Sequence, residues 1–295
     1  MTAKTRKCEA KNPQTCWRHG KGLGFDANRQ IRATYQTPKT YTRFDIYEKA
    51  LKTYDAVHLA EMLLSWSEQT SDISSNIVKK AVLLASDLHK TDTRANRAAH
   101  DRTPYIEHPL RNAVRIIRYN ITDQDQVVAA LFHDTVEDHP FELAAHITTT
   151  QPETEEEARK IAYRYLRKNF GARVHRIVKG MSNPLLPEGL TTEQKHDAYQ
   201  EHFLEAISDP DVLVNKTSDF TDNALSLHHT QSGMNPAGLH KRATKYLRVI
   251  DPLISEWKKA YVMKTSQLPD ITITRIIEQL ERGKIMLQRM AELNN

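Results

Sequence analysis

The sequence is poor in the residues that mark several protein classes. Only two cysteines, Cys8 and Cys16, occur in 295 residues. That is too few to staple a chain of this length in the manner of small secreted domains, and it agrees with a reducing compartment. Glycine (9) and proline (12) are scarce, which excludes collagen-like and low-complexity architectures. No run approaches the roughly 20 apolar residues of a membrane span, and Met1 to Lys11 has no apolar core of a signal peptide. The chain is therefore expected in the cytoplasm, without membrane contact. Strand-like alternation is nearly absent and no period of about 20–50 residues repeats, which argues against sheets and helical solenoids alike.

What remains is the composition of a soluble globular protein, 39% hydrophobic and 27% charged. A net charge of +5 favours an acidic partner, although dispersed Lys and Arg serve equally as solvated surface. Charge alone does not separate a nucleotide from a nucleic acid. Residues 1–40 are polar and basic and read as an irregular lead-in. Cys8, Cys16 and His19 within it are three candidate zinc ligands, one short of a structural tetrahedron, so free thiols are expected there.

Beyond the lead-in, apolar residues recur at helical spacing: Ile46, Leu51, Tyr54, Val57, Leu59, Met62, Leu63 and Trp66, then Ile77, Ala81, Val82, Leu84, Ala85 and Leu88. Further helices are expected over about 109–119, 123–138, 154–169, 172–179, 192–208, 212–228, 239–261 and 271–293. The chain is predicted to be all-α, a helical bundle over 41–235 with C-terminal helices of 236–295 packed on it. Segments 139–153 and 181–191 read as irregular because of Thr148-Thr149-Thr150, Pro152, Pro184, Pro187 and Gly189. The series Ile273, Ile276, Ile277, Leu280, Leu287 and Met290 reads as core packing, with an oligomer seam as the alternative. Lys241-Arg242, Lys245 and Lys258-Lys259 read as exposed helix faces rather than an RNA surface.

Chemistry is concentrated in Phe132-His133-Asp134-Thr135-Val136-Glu137-Asp138-His139, where an apolar helix abruptly presents ionisable groups. Burying an unpartnered carboxylate costs several kcal/mol, so such a cluster points to a bound cation or a wet cleft. Taken alone it also reads as a helix end meeting solvent. The helical repeat places Glu137 one turn after His133 and Asp138 one turn after Asp134, on one side. Upstream, His108 precedes Pro109, which suits a first helical turn. Downstream, Asp219 and Asn223 lie one turn apart. Two imidazoles and two carboxylates, His108, His133, Asp134 and Asp219, suit a first-row divalent metal such as manganese. Such an ion acidifies water and polarises a phosphoryl oxygen, and Glu137 and Asp138 are placed to orient the nucleophile.

In order along the chain, His89 with Arg94, Pro104-Tyr105-Ile106-Glu107-His108-Pro109, His133 to Asp138, Asn169-Phe170-Gly171, Ile177 to Ser182 and Lys216-Thr217-Ser218-Asp219 with Asn223 and Ser226 resemble the HD-superfamily hydrolase domain of the Rel/SpoT proteins and the small alarmone hydrolases. The resemblance covers about 78–227. It implies removal of the 3′-pyrophosphate from (p)ppGpp or an adenosine counterpart. It also implies manganese on His108, His133, Asp134 and Asp219, water activation by Glu137 and Asp138, and substrate contacts from Arg94, Asn223 and Ser226. His89, at a helix end, is expected to be a cap or surface residue rather than a ligand.

The sequence departs from that family in places. Phe220-Thr221-Asp222-Asn223 stands where Arg-Leu-His-Asn is usual, which is expected to alter substrate contacts. Extra residues between Arg94 and Pro104 leave Arg97 and Arg102 as alternatives for the Arg94 role. The stretch from Asp138 to Asn169 is longer than usual, and the C-terminal part, read as two or three helices, has no room for a synthetase or regulatory domain. A nucleotide substrate is expected, with a toxic alarmone synthetase as a conceivable counterpart and a tRNA 3′ end as another substrate. The alternative readings are a partner-binding regulator or antitoxin that retains the HD fold, or an HD phosphohydrolase of another nucleotide.

Overall fold

The computed structural model describes residues 50–94, 102–227, 236–266 and 268–292. The expectations for Cys8, Cys16, His19 and Arg97 lie outside them. Apolar side chains at helical spacing set the first two helices. Helix α1 (Ala56–Gln69) buries Leu59, Met62, Leu63 and Trp66, and the Asp55 carboxylate caps it by accepting from the His58 amide at 3.0 Å. Helix α2 (Ser75–Leu88) buries Val78, Ala81, Val82, Ala85 and Leu88. A short antiparallel ladder comes next, β1 (Thr93–Arg94) against β2 (Thr103–Pro104), the only β structure among the described residues. Pro104 is tolerated because the ladder is two strands wide, with no inner position.

The centre of the bundle is built by α3 (Glu107–Arg118), α4 (Gln124–Phe132), α8 (Ala172–Met181) and α10 (Pro210–Asn223), which pack on one another. Asp123 caps α4 through the amides of Asp125 and Gln126, and every residue from Gln126 to Phe132 is buried. Helices α5 (Thr135–Asp138) and α6 (Pro140–Ala145) carry the chain to α7 (Glu155–Phe170), which lies against α6 and α8. Gly171, at φ 102°, allows α7 to stop and α8 to begin without a linker. Helix α9 (Thr192–Ala206) opens with a capping box between Thr191 and Gln194.

The C-terminal pair, α11 (Pro236–Met263) and α12 (Asp270–Glu292), pack on each other, with α11 also on α9. Ile273, Ile276, Leu280, Leu287 and Met290 are buried, and Ile277 packs at the edge of the same core. Trp257 is fully buried, and its indole N–H donates to Thr217 Oγ1 of α10 at 2.8 Å, tying the pair to the centre of the bundle. Among the described residues no helix is long and apolar enough to cross a membrane.

Three expectations need correction. The helix expected over 123–138 is broken between Phe132 and Thr135, where Asp134 sits at φ −96°, ψ −15°. Side chains take up the carbonyls that the break leaves open: His133 Nδ1 donates to Ala130 O and Thr135 Oγ1 to Phe132 O, each at 2.8 Å. Segment 139–153 is not wholly irregular, because Pro140 at the first turn of α6 and the buried Leu143 and Ala144 support a helix. Lys245 is half-buried, its ammonium 3.9 Å from the Tyr199 ring centroid, so it is not part of an exposed face.

The Trp257 anchor can be tested by truncation. Trp257→Ala removes a fully packed indole and its hydrogen bond to Thr217, so a loss of about 3–5 kcal/mol is expected in denaturant unfolding monitored by circular dichroism.

Candidate functional site

The break after Phe132 turns His133 and Asp134 toward the first turn of α3 and the last turns of α10. There His108 Nε2 lies 3.1 Å from His133 Nε2, 3.1 Å from Asp219 Oδ1 and 3.5 Å from Asp134 Oδ2. His133 Nε2 lies 3.0 Å from Asp134 Oδ2 and 3.5 Å from Asp219 Oδ1. Both imidazoles are buried, whereas Asp134 and Asp219 keep 21% and 23% of their side chains exposed and so form the open side.

The outer nitrogen of each ring is already committed. His108 Nδ1 faces Asp222 Oδ2 at 2.8 Å and His133 Nδ1 faces Ala130 O at 2.8 Å. A proton on each Nδ1 leaves both Nε2 lone pairs aimed at one another and at two carboxylate oxygens. Asn112 Nδ2 stands 3.5 Å from each ring nitrogen, at the outer limit of a hydrogen bond. Four converging acceptors repel unless a cation sits among them, and these residues fit a divalent ion for that reason. Without an ion, a proton takes its place. Burial opposes charge on His133, but the adjacent Asp134 and Asp219 carboxylates outweigh it and raise its pKa well above the ordinary value. Burial and the Arg94 charge keep His108 low. Burial would raise Asp134 and Asp219, yet the imidazoles beside them hold both below the usual carboxylate range.

The carboxylates one turn on are arranged differently from each other. Glu137 accepts from the Asn183 backbone N–H at 2.6 Å and from Asn183 Nδ2, and burial together with the Asp134 charge pushes it up to about 7. Asp138 reaches the surface; crowding around its carboxyl, then the Asp134 charge, shift it upward. The buried Lys216 side chain donates to Met181 O at 2.8 Å, and burial lowers its pKa against the opposing charges of Asp219, Glu137 and Asp134.

Of the expected substrate contacts, Arg94 and Asn223 come together. Arg94 Nη2 donates to Asn223 Oδ1 at 2.7 Å, Asn223 Nδ2 donates to Asp219 Oδ1 at 2.6 Å, and the Arg94 guanidinium lies 5.2 Å from the Tyr105 ring centroid. Arg102 does not take that place, because it is spent on Thr93 Oγ1 and Thr93 O, each at 2.6 Å. Ser226 turns its hydroxyl back to Asp222 O.

The altered stretch does not face the opening, contrary to expectation. Phe220, Thr221 and Asp222 are all buried. Phe220 packs edge-on against Phe203 and Tyr246, as an apolar ring in a core should. Asp222 accepts from Arg111 Nε at 2.9 Å and Nη2 at 3.0 Å, from Arg115 Nη2 at 3.0 Å and from Lys52 Nζ at 3.2 Å, besides facing His108. Burial opposes its charge, and these cations hold it well below the usual carboxylate range. Nor is His89 a surface residue: it is 1% exposed, with Nδ1 2.9 Å from Asp92 Oδ2 and the Tyr105 ring 4.8 Å away.

Several members escaped sequence reasoning. Tyr105 donates its hydroxyl to Asp134 Oδ2 at 2.6 Å, and its place in Pro104-Tyr105-Ile106-Glu107-His108-Pro109 was the available signal. Asn183, Arg111 and Arg115 carried none, since each is contributed by tertiary packing.

The chain is 31% identical over 147 residues to the guanosine-3′,5′-bis(diphosphate) 3′-pyrophosphohydrolase MESH1 of Danio rerio, which covers 48% of this chain and 68% of that one. It is 29% identical over 124 residues to a guanosine-3′,5′-bis(diphosphate) 3′-pyrophosphohydrolase of Aquifex aeolicus, covering 42% of this chain and 14% of the relative. With the bifunctional (p)ppGpp synthase/hydrolase SpoT of Escherichia coli the identity is 26% over 180 residues, covering 60% and 21%. The chain thus spans about a fifth or less of the length of these two long relatives. No family model matches the chain, and no solved structure does.

Replacing Asp222 by Asn would leave Arg111, Arg115 and Lys52 buried around a neutral group. A loss of about 3–5 kcal/mol is expected in urea unfolding at neutral pH. Because the folded pKa of Asp222 is depressed, its contribution is full above the unfolded carboxylate value of about 3.9 and fades as pH falls below it. The gap between wild type and Asp222→Asn should therefore narrow as pH falls below that value, and it should also shrink as pH rises toward 7, where Lys52, pushed down to about 7 by burial, loses its proton in the wild type.

Proposed function

The chain belongs to the HD-type hydrolases of the Rel/SpoT family, and on that footing we propose that it hydrolyses the 3′-pyrophosphate of a purine alarmone such as (p)ppGpp or its adenosine counterpart. The observation that carries this reading is the convergence of His108 Nε2, His133 Nε2, Asp134 Oδ2 and Asp219 Oδ1, whose outer-nitrogen partners present both imidazoles as acceptors. These four residues would hold the ion, and a nitrogen and oxygen donor set with an open side suits manganese. When bound, such an ion supplies Lewis acidity toward a phosphoryl oxygen and toward water.

The remaining steps belong to side chains. Glu137, steadied by Asn183, and Asp138 at the mouth take the proton of the attacking water. Its oxygen bonds to the phosphorus carried on the ribose 3′ oxygen, the P–O3′ bond breaks and the 3′ oxygen gains a proton. The products are pyrophosphate and a nucleotide with a free 3′ hydroxyl. Arg94, presented over Tyr105 and held by Asn223, meets the pyrophosphate or stacks on the base, since a guanidinium can do either.

The same chemistry extends to a pyrophosphorylated tRNA 3′ end. An antidote role against a toxic alarmone synthetase would follow from the reaction itself and rests on no additional feature of the described residues. One motive for a partner-binding regulator, the altered Phe220-Thr221-Asp222 stretch, falls away because those residues are buried.

Full-length protein given ppGpp, pppGpp, ppApp and pyrophosphorylated tRNA in parallel with manganese should release pyrophosphate from at least one. Chelation of the metal, or Asp134→Asn, should abolish the release. Glu137→Gln should lower kcat by roughly 10²–10⁴. Release of no pyrophosphate from any of these substrates would contradict the proposal.

A further inference from the structure

A second group of converging donors lies outside the site above. His89 at the end of α2, Asp92 in the turn after it, and His139 between α5 and α6 bring one atom each to a common point. His89 Nδ1 is 2.9 Å from Asp92 Oδ2, His139 Nε2 is 2.6 Å from the same oxygen, and the two ring nitrogens are 3.1 Å apart. Hydrogen bonds alone do not satisfy this triangle. If both rings donate to Oδ2, two N–H groups crowd across the gap between the nitrogens. If only one does, the other ring turns a lone pair toward a carboxylate oxygen. With Asp92 ionised, every arrangement of ring protons leaves one repulsive edge, and a cation leaves none.

We infer that His89, Asp92 and His139 form a second divalent-cation site, of the zinc class, distinct from the one built on His133 and Asp134. From three atoms spaced in this way, a point about 2.1 Å from each, the length of a zinc–nitrogen or zinc–oxygen bond, lies about 1.3 Å to one side of their plane, so the three would cap one face of the ion. Two imidazoles and one carboxylate are ligands that zinc, cobalt and nickel accept. Asp92 and His139 keep 30% and 12% of their side chains exposed, which gives the ion an entry path and water for its remaining positions.

The site would join elements that share little else. An ion here pins the end of α2 to the α5–α6 junction, immediately after Asp138. Tyr105 forms the wall between the two sites, its ring against His89 and its hydroxyl on Asp134. Binding at His89 Nδ1 places the proton of that ring on Nε2, which is buried without a hydrogen-bond partner. That cost, and three protein ligands against four, make this the weaker site and the second to fill.

The test uses full-length protein stripped with chelator, titrated calorimetrically with zinc and then measured for retained metal after desalting. Wild type should hold one equivalent more than Asp92→Asn/His139→Gln, with the tighter binding phase preserved in the double variant. His133→Ala should lose the tighter phase and keep the weaker one, so failure of the first site is read separately. Circular dichroism confirms folding, and Asp92→Asn alone, at a partly exposed position, serves if the double variant does not fold. A double or single variant that retains the wild-type stoichiometry and both phases would overturn the inference.

Discussion

The carboxylate of Asp222 is where the bundle and the site meet. It is fully buried, and its charge is tolerable only because Arg111 and Arg115 of α3 and Lys52 ahead of α1 surround it. Those same cations would be intolerable in the core without it. Its oxygen also faces His108 Nδ1, which fixes the tautomer that points Nε2 at His133, Asp134 and Asp219. One ionised group thus sets the packing of α3 on α10 and the orientation of a candidate ligand. The stretch that departs from the family pattern therefore acts behind the site, as support, rather than at its mouth.

A second constraint is the interruption of the helix at His133. A continuous α-helix would carry His133 and Asp134 apart, about 100° around the axis. Breaking the ladder lets neighbouring residues contribute to one cluster, and the cost in unpaired carbonyls is offset by the His133 ring and the Thr135 hydroxyl. The break also leaves Glu137 and Asp138 on a short separate turn, close to Asp134 in space and free of the α4 axis.

Much of this was legible in the sequence. Apolar spacing revealed most of the α1, α2 and α12 core faces, Val57 being exposed instead, and the His108, His133, Asp134 and Asp219 pattern named residues that do converge. Arg94 and Asn223, far apart in the chain, do meet. Periodicity could not show the break at His133, because the apolar pattern continues through Val136. Nor could it show α6, where Thr and Pro punctuation after Ala145 dominated the reading of the whole segment. The role of Asp222 was hidden for a different reason: partners come from α3 and from before α1, and burial of an acid is visible only when its counter-charges are placed in space. His89 does cap α2, but its burial was hidden likewise, since His139 reaches it through tertiary structure.

The central claim is that His108, His133, Asp134 and Asp219 enclose a divalent cation rather than a proton. Electron paramagnetic resonance reads this directly, because free aqueous manganese gives a sharp six-line spectrum that broadens on binding. Metal-free protein should quench that signal stoichiometrically at micromolar manganese, and His108→Ala should release it. A six-line signal unchanged by wild-type protein up to millimolar manganese would contradict the account.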